Sequence, residues 1–192
     1  MANVCSDNVF FFSDDNPDGI AALWKDLEAA ITPGYRDNLG DIKRLFRKKG
    51  LPADALSLNG TITHMTQKEG GILLELDTAW HPLYEAYQVL ADAYQLFFVM
   101  ESTEPGCGIF YNTDDSGIFF RGQYCVTGDM DLVTPCGRRL CDRVDYGETF
   151  SSETELLARF RKLGFRQKSL AELADTLEKS GVYIHSFINP YQ

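Results

Sequence analysis

The chain has 192 residues, 44% hydrophobic and 12% aromatic, with a formal net charge of −10; this length suits one domain, or one domain with an appendage, and the apolar content excludes wholesale disorder. Its apolar runs, such as residues 9–12 and 72–74, fall far short of the roughly 20 residues that cross a bilayer, and no basic stretch followed by an apolar one opens the chain. Five cysteines, Cys5, Cys107, Cys125, Cys136 and Cys141, are odd in number and scattered, which fits reduced thiols in a cytoplasm rather than a disulfide framework.

Residues 8–13 carry Val9, Phe10, Phe11 and Phe12, a short apolar run that reads as a central strand. A helix follows: Asn16 is its N-cap, Pro17 stands at the first helical position where a missing donor costs nothing, and Asp18 faces the positive end of the dipole. Ile20, Leu23, Trp24, Leu27 and Ile31 recur at helical spacing, and Pro33 and Gly34 end the element. Residues 35–58 read as an insertion holding a short helix from about 41 to 49, capped by Asp41 and closed by Gly50. Its cations are Arg36, Lys43, Arg44, Arg47, Lys48 and Lys49; they form either a solvated face or a docking surface for phosphates or an acidic partner.

Residues 61–65 and 72–80 alternate around a turn at Gly70 and Gly71 and predict a β-hairpin. A helix from Pro82 follows, with His81 in the cap position and Leu83, Tyr84, Tyr87, Leu90, Ala91 and Tyr94 as its buried stripe. Residues 95–103 read as a strand. Glu104, Pro105 and Gly106 then turn the chain into 107–112, and Thr113 to Gly117 turn it again into a strand at 118–126. The order strand, helix, hairpin, helix, strand is the split βαβ of a ferredoxin-like α+β fold: an antiparallel sheet, extended by extra strands, with its helices mainly on one face. Residues 1–126 form that core.

Residues 127–149 are polar and aperiodic and read as a long loop with one irregular strand near 137–144. Ser152 with Glu155 and Ser169 with Glu172 start two helices as capping boxes, and a strand at 182–188 returns to the sheet. Residues 127–192 are thus a loop and a helix-helix-strand appendage packed on the same domain. Charge divides further along: residues 1–150 hold 12 Lys+Arg against 23 Asp+Glu, residues 151–192 hold 6 against 5.

Residues 2–8, the run Thr78-Ala79-Trp80-His81-Pro82 and the run Glu104-Pro105-Gly106-Cys107-Gly108 together resemble the YubB-like family, proteins with a ferredoxin-like domain encoded on plasmids, phages and other bacterial mobile elements. The resemblance spans roughly residues 2–126 and departs at Val4, where the family usually shows Trp, and at 110–112, where small residues are usual. It implies a fold and a mobile-element context; the family carries no established activity.

No motif meets the demands of a recognised active site. Cys136 and Cys141 are spaced at the edge of the zinc range without a second ligand pair, so they are weak metal candidates and no cofactor is expected. His64, His81 and His185 adjoin no nucleophile in a known local motif. The acidic pairs Asp14-Asp15, Asp114-Asp115 and Asp129-x-Asp131 are read as turn formers. Residues 152–181 could be a helix-turn-helix, but Glu172, Asp175 and Glu178 oppose a DNA groove. The expected function is a protein-interaction module with an acidic surface, directed at a host or plasmid protein and not at a membrane. A nucleic-acid-associated protein using helix 41–49 or the 152–181 pair, and a small-molecule or metal-dependent enzyme, are the alternatives. A binding site, if present, is expected where Trp80 ends a strand and His81 begins a helix, with Glu104, Cys107 and Tyr111.

Overall fold

The computed structural model describes residues 3–30 and 40–192. The stop expected at Pro33 and Gly34, Ile31, and Arg36 of the basic insertion lie outside the described residues. The chain divides into two compact units, Met1–Ile109 and Phe110–Gln192, so the division falls ahead of the expected boundary at 126.

The first unit is built on an antiparallel sheet. Strand β1 (Val4–Phe12) starts earlier than expected, because residues 4–7 already alternate exposed and buried before the apolar run begins. Helix α1 (Pro17–Ala30) buries Ile20, Leu23, Leu27 and Ala30. A short strand β2 (Gly40–Asp41) leads into α2 (Ile42–Lys49), where Asp41 accepts from the Lys43 amide and Gly50 closes the helix at φ 64°. Strands β3 (Gly60–Lys68) and β4 (Gly71–Ala79) form the expected hairpin. Helix α3 (Tyr84–Tyr94) and strand β5 (Phe97–Glu104) follow. With β6 (Ile109–Asn112), which runs over the boundary between the units, the six-stranded order is β2-β3-β4-β1-β5-β6.

Register separates the two faces of this sheet. Cys5, Asp7, Val9 and Phe11 stand opposite Thr78, Leu76, Leu74 and Ile72 of β4, and Asp7 and Val9 also stand opposite Ser102 and Met100 of β5. All of these side chains are buried, as period-two alternation against a helix layer requires. Tyr87 of α3 lies edge-on to Phe11 at 6.4 Å, which identifies this row as the helix-covered face. The other row holds Ser6, Asn8, Phe10 and Phe12, with Asp77, Glu75, Leu73 and Gly71 across one side and Thr103, Glu101, Val99 and Phe97 across the other. Only Phe10 and Gly71 of that second row are buried.

The second unit has its own core, in which Val126, Leu140, Phe150, Leu156, Phe160, Leu173, Leu177 and Val182 are all buried. Its sheet is β8-β7-β9, formed by Thr149–Phe150, Tyr124–Gly128 and Val182–Ser186. The last strand pairs with β7, and beyond its end Ile188 makes the expected return, bridging Tyr111 of β6 with its amide on the Phe110 carbonyl and its carbonyl on the Asn112 amide. The strand expected at 118–126 begins only at Tyr124, because side chains occupy the backbone groups of the preceding residues. Asp114 accepts from the amides of Phe119 and Phe120, and the Asn112 amide donates to the carbonyls of Phe120 and Gly122. Residues 137–144 hold a 3-10 turn, Leu140–Asp142, instead of a strand; Leu140 is fully buried and only a single bridge joins Val133 to Arg139.

Helices α4 (Glu153–Lys162) and α5 (Leu170–Glu178) are capped by Ser152 and Ser169 as expected. The reciprocal glutamates reach one residue further back than a capping box prescribes: Glu155 accepts from the Ser151 amide and Glu172 from the Lys168 amide. Among the described residues no helix is long and apolar enough to cross a membrane.

Candidate functional site

Trp80, His81, Glu104 and Cys107 lie in the first unit, and β-register places both of their turns at one end of its sheet, since Ser6 stands opposite Asp77 on one side and Thr103 on the other. Asn3 joins them. Its carbonyl accepts from the Trp80 amide at 3.0 Å, and its side-chain amide lies 3.8 Å from Cys107 Sγ. Glu104 is buried and accepts from the amides of Gly106 and Cys107, so its carboxylate closes the 3-10 turn Pro105–Cys107. The same carboxylate holds the exposed Cys107 thiol above its ordinary pKa, the opposite of what a nucleophile needs. Trp80 is 51% exposed at φ 73°, a left-handed conformation costly for a bulky residue. His81 is exposed, and its Nδ1 lies 2.9 Å from the Pro82 carbonyl.

His81 does not cap the helix. α3 starts at Tyr84, and its N-cap residue Leu83 offers no side-chain hydrogen bond. Asp7 of β1 supplies the cap instead, accepting from the Leu83 amide at 3.2 Å and the Tyr87 hydroxyl at 2.6 Å. A buried carboxylate is tolerated there because it meets the positive end of a helix and charge-assisted donors. Cys5 donates to the same carboxylate at 3.4 Å, and Thr78 Oγ1 lies within bonding distance of the Cys5 and His81 carbonyls. Burial raises the pKa of Asp7 against the lowering effect of the Tyr87 and Leu83 bonds; burial and the Asp7 charge raise those of Cys5 and Tyr87. This network fixes the corner from inside.

The outer row of the sheet differs in chemistry from end to end. Toward the Trp80 end it presents Asp77, Glu75 and Glu101; toward the hairpin end it presents Leu73, Val99, Phe12 and Phe97. Asp77 is exposed and both glutamates are half-buried, and none of the three forms an ion pair among the described residues. Burial raises the pKa of Glu101. Phe97 is 66% exposed.

Tyr111 belongs to the second unit and stands edge-on to Tyr191 at 6.1 Å. Cys136 lies 3.2 Å from Thr134 Oγ1 and Cys141 Sγ lies 3.9 Å from Asp131, so the two thiols have separate partners. Among the described residues no group of three or more His, Cys, Asp or Glu is arranged to hold a metal ion. His64 meets Thr66 at 2.6 Å, while His185 meets Thr127 at 2.8 Å under the stacked ring of Phe110. Burial lowers the pKa of His185. Asp114 accepts from the amides of Phe119 and Phe120 and Asp129 from that of Asp131, as expected of turn formers. In α2, Lys49 pairs with Asp26 at 2.9 Å and Lys48 Nζ lies 3.4 Å from the Ala29 carbonyl, which turns part of the basic helix toward α1.

No protein-family model, curated protein or solved structure matches the chain. The tertiary structure adds Asn3, Asp7, Glu75, Asp77 and Glu101 to the residues singled out by sequence. The strand alternation at 72–80 already placed Glu75 and Asp77 on one face, but only the β1 and β5 registers bring Glu101 beside them.

Proposed function

We propose that the chain is a protein-interaction module whose first unit is a ferredoxin-like sheet, with the outer row of that sheet as its docking surface for a basic protein segment carrying an apolar anchor. Support for the fold is the order β3-β4-β1-β5 with α1 and α3 as crossovers, the arrangement a split βαβ prescribes. Support for the surface is one observation: Glu75, Asp77 and Glu101 stand together without an ion-paired cation, beside the half-buried and exposed apolar residues Leu73, Val99 and Phe97. A cationic strand or helix laid along this face meets carboxylates at one end and an apolar patch at the other, the complementarity that fixes orientation as well as partner. The resemblance of residues 2–126 to YubB-like proteins supports an accessory role on a mobile element, with a host or element-encoded protein as partner.

A synthetic Lys/Arg-rich peptide with a central Leu-Phe anchor tests the surface by fluorescence anisotropy. Glu75→Lys with Asp77→Lys should weaken its binding by more than about tenfold, roughly 1.4 kcal/mol, and Phe97→Ala by a smaller factor. Asp14→Asn with Asp15→Asn should leave it unchanged. Equal losses from both acidic pairs would mean that net charge alone attracts the peptide, and would overturn the assignment of this face.

A further inference from the structure

The second unit contains a cleft of about 630 Å³ lined by Cys136, Arg138, Asp142, Arg143, Arg159, Lys162 and Leu163. Within a chain of net charge −10, this is a local reversal of sign. Arg159 is held by Glu148 at 2.9 Å, by the Arg143 carbonyl at 2.7 Å and over the Phe150 ring. Asp142, the carboxylate lining the cleft, is 3.6 Å from Arg139 outside it. Arg138, Arg143 and Lys162 form no ion pair among the described residues.

Helix electrostatics explains only part of this cluster. A cation near the C-terminus of α4 is favourable in itself, which accounts for Lys162. Arg138 and Arg143 come from the 134–143 loop. At the end of α4 the carbonyls of Phe160 and Arg161 have backbone donors, from Leu163 and Phe165 and from Gly164, and the cap residue Leu163 accepts from Cys136.

The walls are also built in advance. The Cys136 amide ties the loop to Leu163 at 3.1 Å, and Gly164 permits the approach: at φ 92° a Cβ there would lie 3.0 Å from the Cys136 nitrogen. The Thr134 amide bonds the Arg138 carbonyl, and the amides of Leu140 and Cys141 bond the carbonyls of Leu132 and Met130. Arg138 and Cys136 are thus carried on a hydrogen-bonded loop anchored by the buried Leu140.

We propose that this cleft binds a small organic phosphate, its phosphoryl oxygens taken by Arg138, Arg143 and Lys162. Guanidinium forks and an ammonium lining one concave site match a phosphoryl group carrying more than one negative charge. The volume fits a single ligand of about nucleotide size, and the acidity of the rest of the chain opposes a nucleic-acid strand passing over it. Cys136 stands at the wall as a reporter of the same field. Its thiol is exposed, and the Thr134 hydroxyl, which donates to the Arg138 carbonyl at 2.8 Å, can turn to a thiolate while the Thr134 amide keeps that carbonyl bonded.

Inorganic pyrophosphate is the probe, titrated calorimetrically into the full chain against sodium chloride of equal ionic strength, alongside Arg138→Gln with Lys162→Gln. The parent should show saturable binding at one site, and the double variant at least about tenfold weaker binding. Cys136 alkylation gives a second readout by peptide mass: its thiolate displaces iodide from iodoacetate or iodoacetamide. The rate ratio favouring the anionic reagent should be higher at Cys136 than at Cys107, should fall in the double variant, and should drop when pyrophosphate is added. No saturable binding, or equal binding by parent and variant, overturns the proposal. So does a single-stranded oligonucleotide that binds more tightly than pyrophosphate and is weakened by the same substitutions. Glu75→Lys with Asp77→Lys should leave pyrophosphate binding unchanged, which keeps this test separate from that of the sheet surface.

Discussion

The Tyr87 hydroxyl donates to Asp7 Oδ2 at 2.6 Å, and both side chains are buried, so one hydrogen bond joins the first strand to the third helix inside the core. Tyr87→Phe keeps the ring and its edge-on contact with Phe11 but leaves a buried carboxylate short of a donor. A hydrogen bond to a charged group contributes about 1.5–3 kcal/mol. Urea unfolding should show a loss in that range, and a loss below about 0.5 kcal/mol would mean that the Leu83 amide and the Cys5 thiol satisfy Asp7 without it.

The same carboxylate gives stability a pH dependence of defined sign. Asp7 has its folded pKa raised by burial. Its stabilising contribution is therefore fully present below the unfolded value of about 4 and is lost as pH rises through the folded value. The stability of the parent relative to Asp7→Asn should be greatest in acid and should decline from about pH 4 upward. A difference that stays flat, or rises with pH, would contradict the assignment.

Adjacent glycines of the β3–β4 turn should fail for different reasons. Gly70 adopts φ 74° with open space around it, so Gly70→Ala carries only the left-handed penalty of about 1–2 kcal/mol. At Gly71 a Cβ would lie 2.3 Å from the Phe11 carbonyl oxygen and 2.7 Å from the Phe10 ring. Backbone cannot rotate out of the way as a side chain can, so Gly71→Ala must open the β1–β4 ladder and should cost about 3 kcal/mol or more. Comparing urea midpoints checks the order; a greater loss at Gly70 would refute it.

Asn16 binds two helices at once. Its Oδ1 accepts from the Gly19 amide at the start of α1, while Nδ2 donates to the carbonyls of Tyr94 and Gln95 at the end of α3. Asn16→Ala removes a cap and two further bonds and should cost about 2–3 kcal/mol. Asn16→Asp keeps the cap acceptor but turns an oxygen toward two carbonyls. Hydrogen exchange should therefore show both helix ends fraying in the first variant and only the end of α3 in the second.

Ser152 and Ser169 each accept an amide three residues on, from Glu155 and Glu172. Replacement of either serine by Ala should lower stability by about 1 kcal/mol. Thermal unfolding of the two variants checks this, and losses under about 0.3 kcal/mol would show that Glu155 and Glu172 hold the helix starts by themselves.

The elements themselves were legible in the sequence because their causes are local. Asp41 and Gly50 bound α2, Ser152 and Ser169 open α4 and α5, and alternation around Gly70 and Gly71 makes the hairpin; each depends on residues within a few positions. Charge could be read as a sum and by segment. What lies across the fold could not. The cap of α3 sits on β1 at Asp7, a partner no neighbouring residue announces, so local sequence points to His81 instead. Asn112 and Asp114 spend the backbone groups of residues 119–122, so β7 starts late and the last strand pairs with it. Glu101 joins Glu75 and Asp77 only through the register of β5 on β1 and of β1 on β4. Arg138 and Arg143 line one cleft with Lys162 because a glycine lets their loop close on the end of a helix. Local propensity and capping set which segments form; burial, register and close approach decided which side chains stand together, because those energies exist only once distant segments touch.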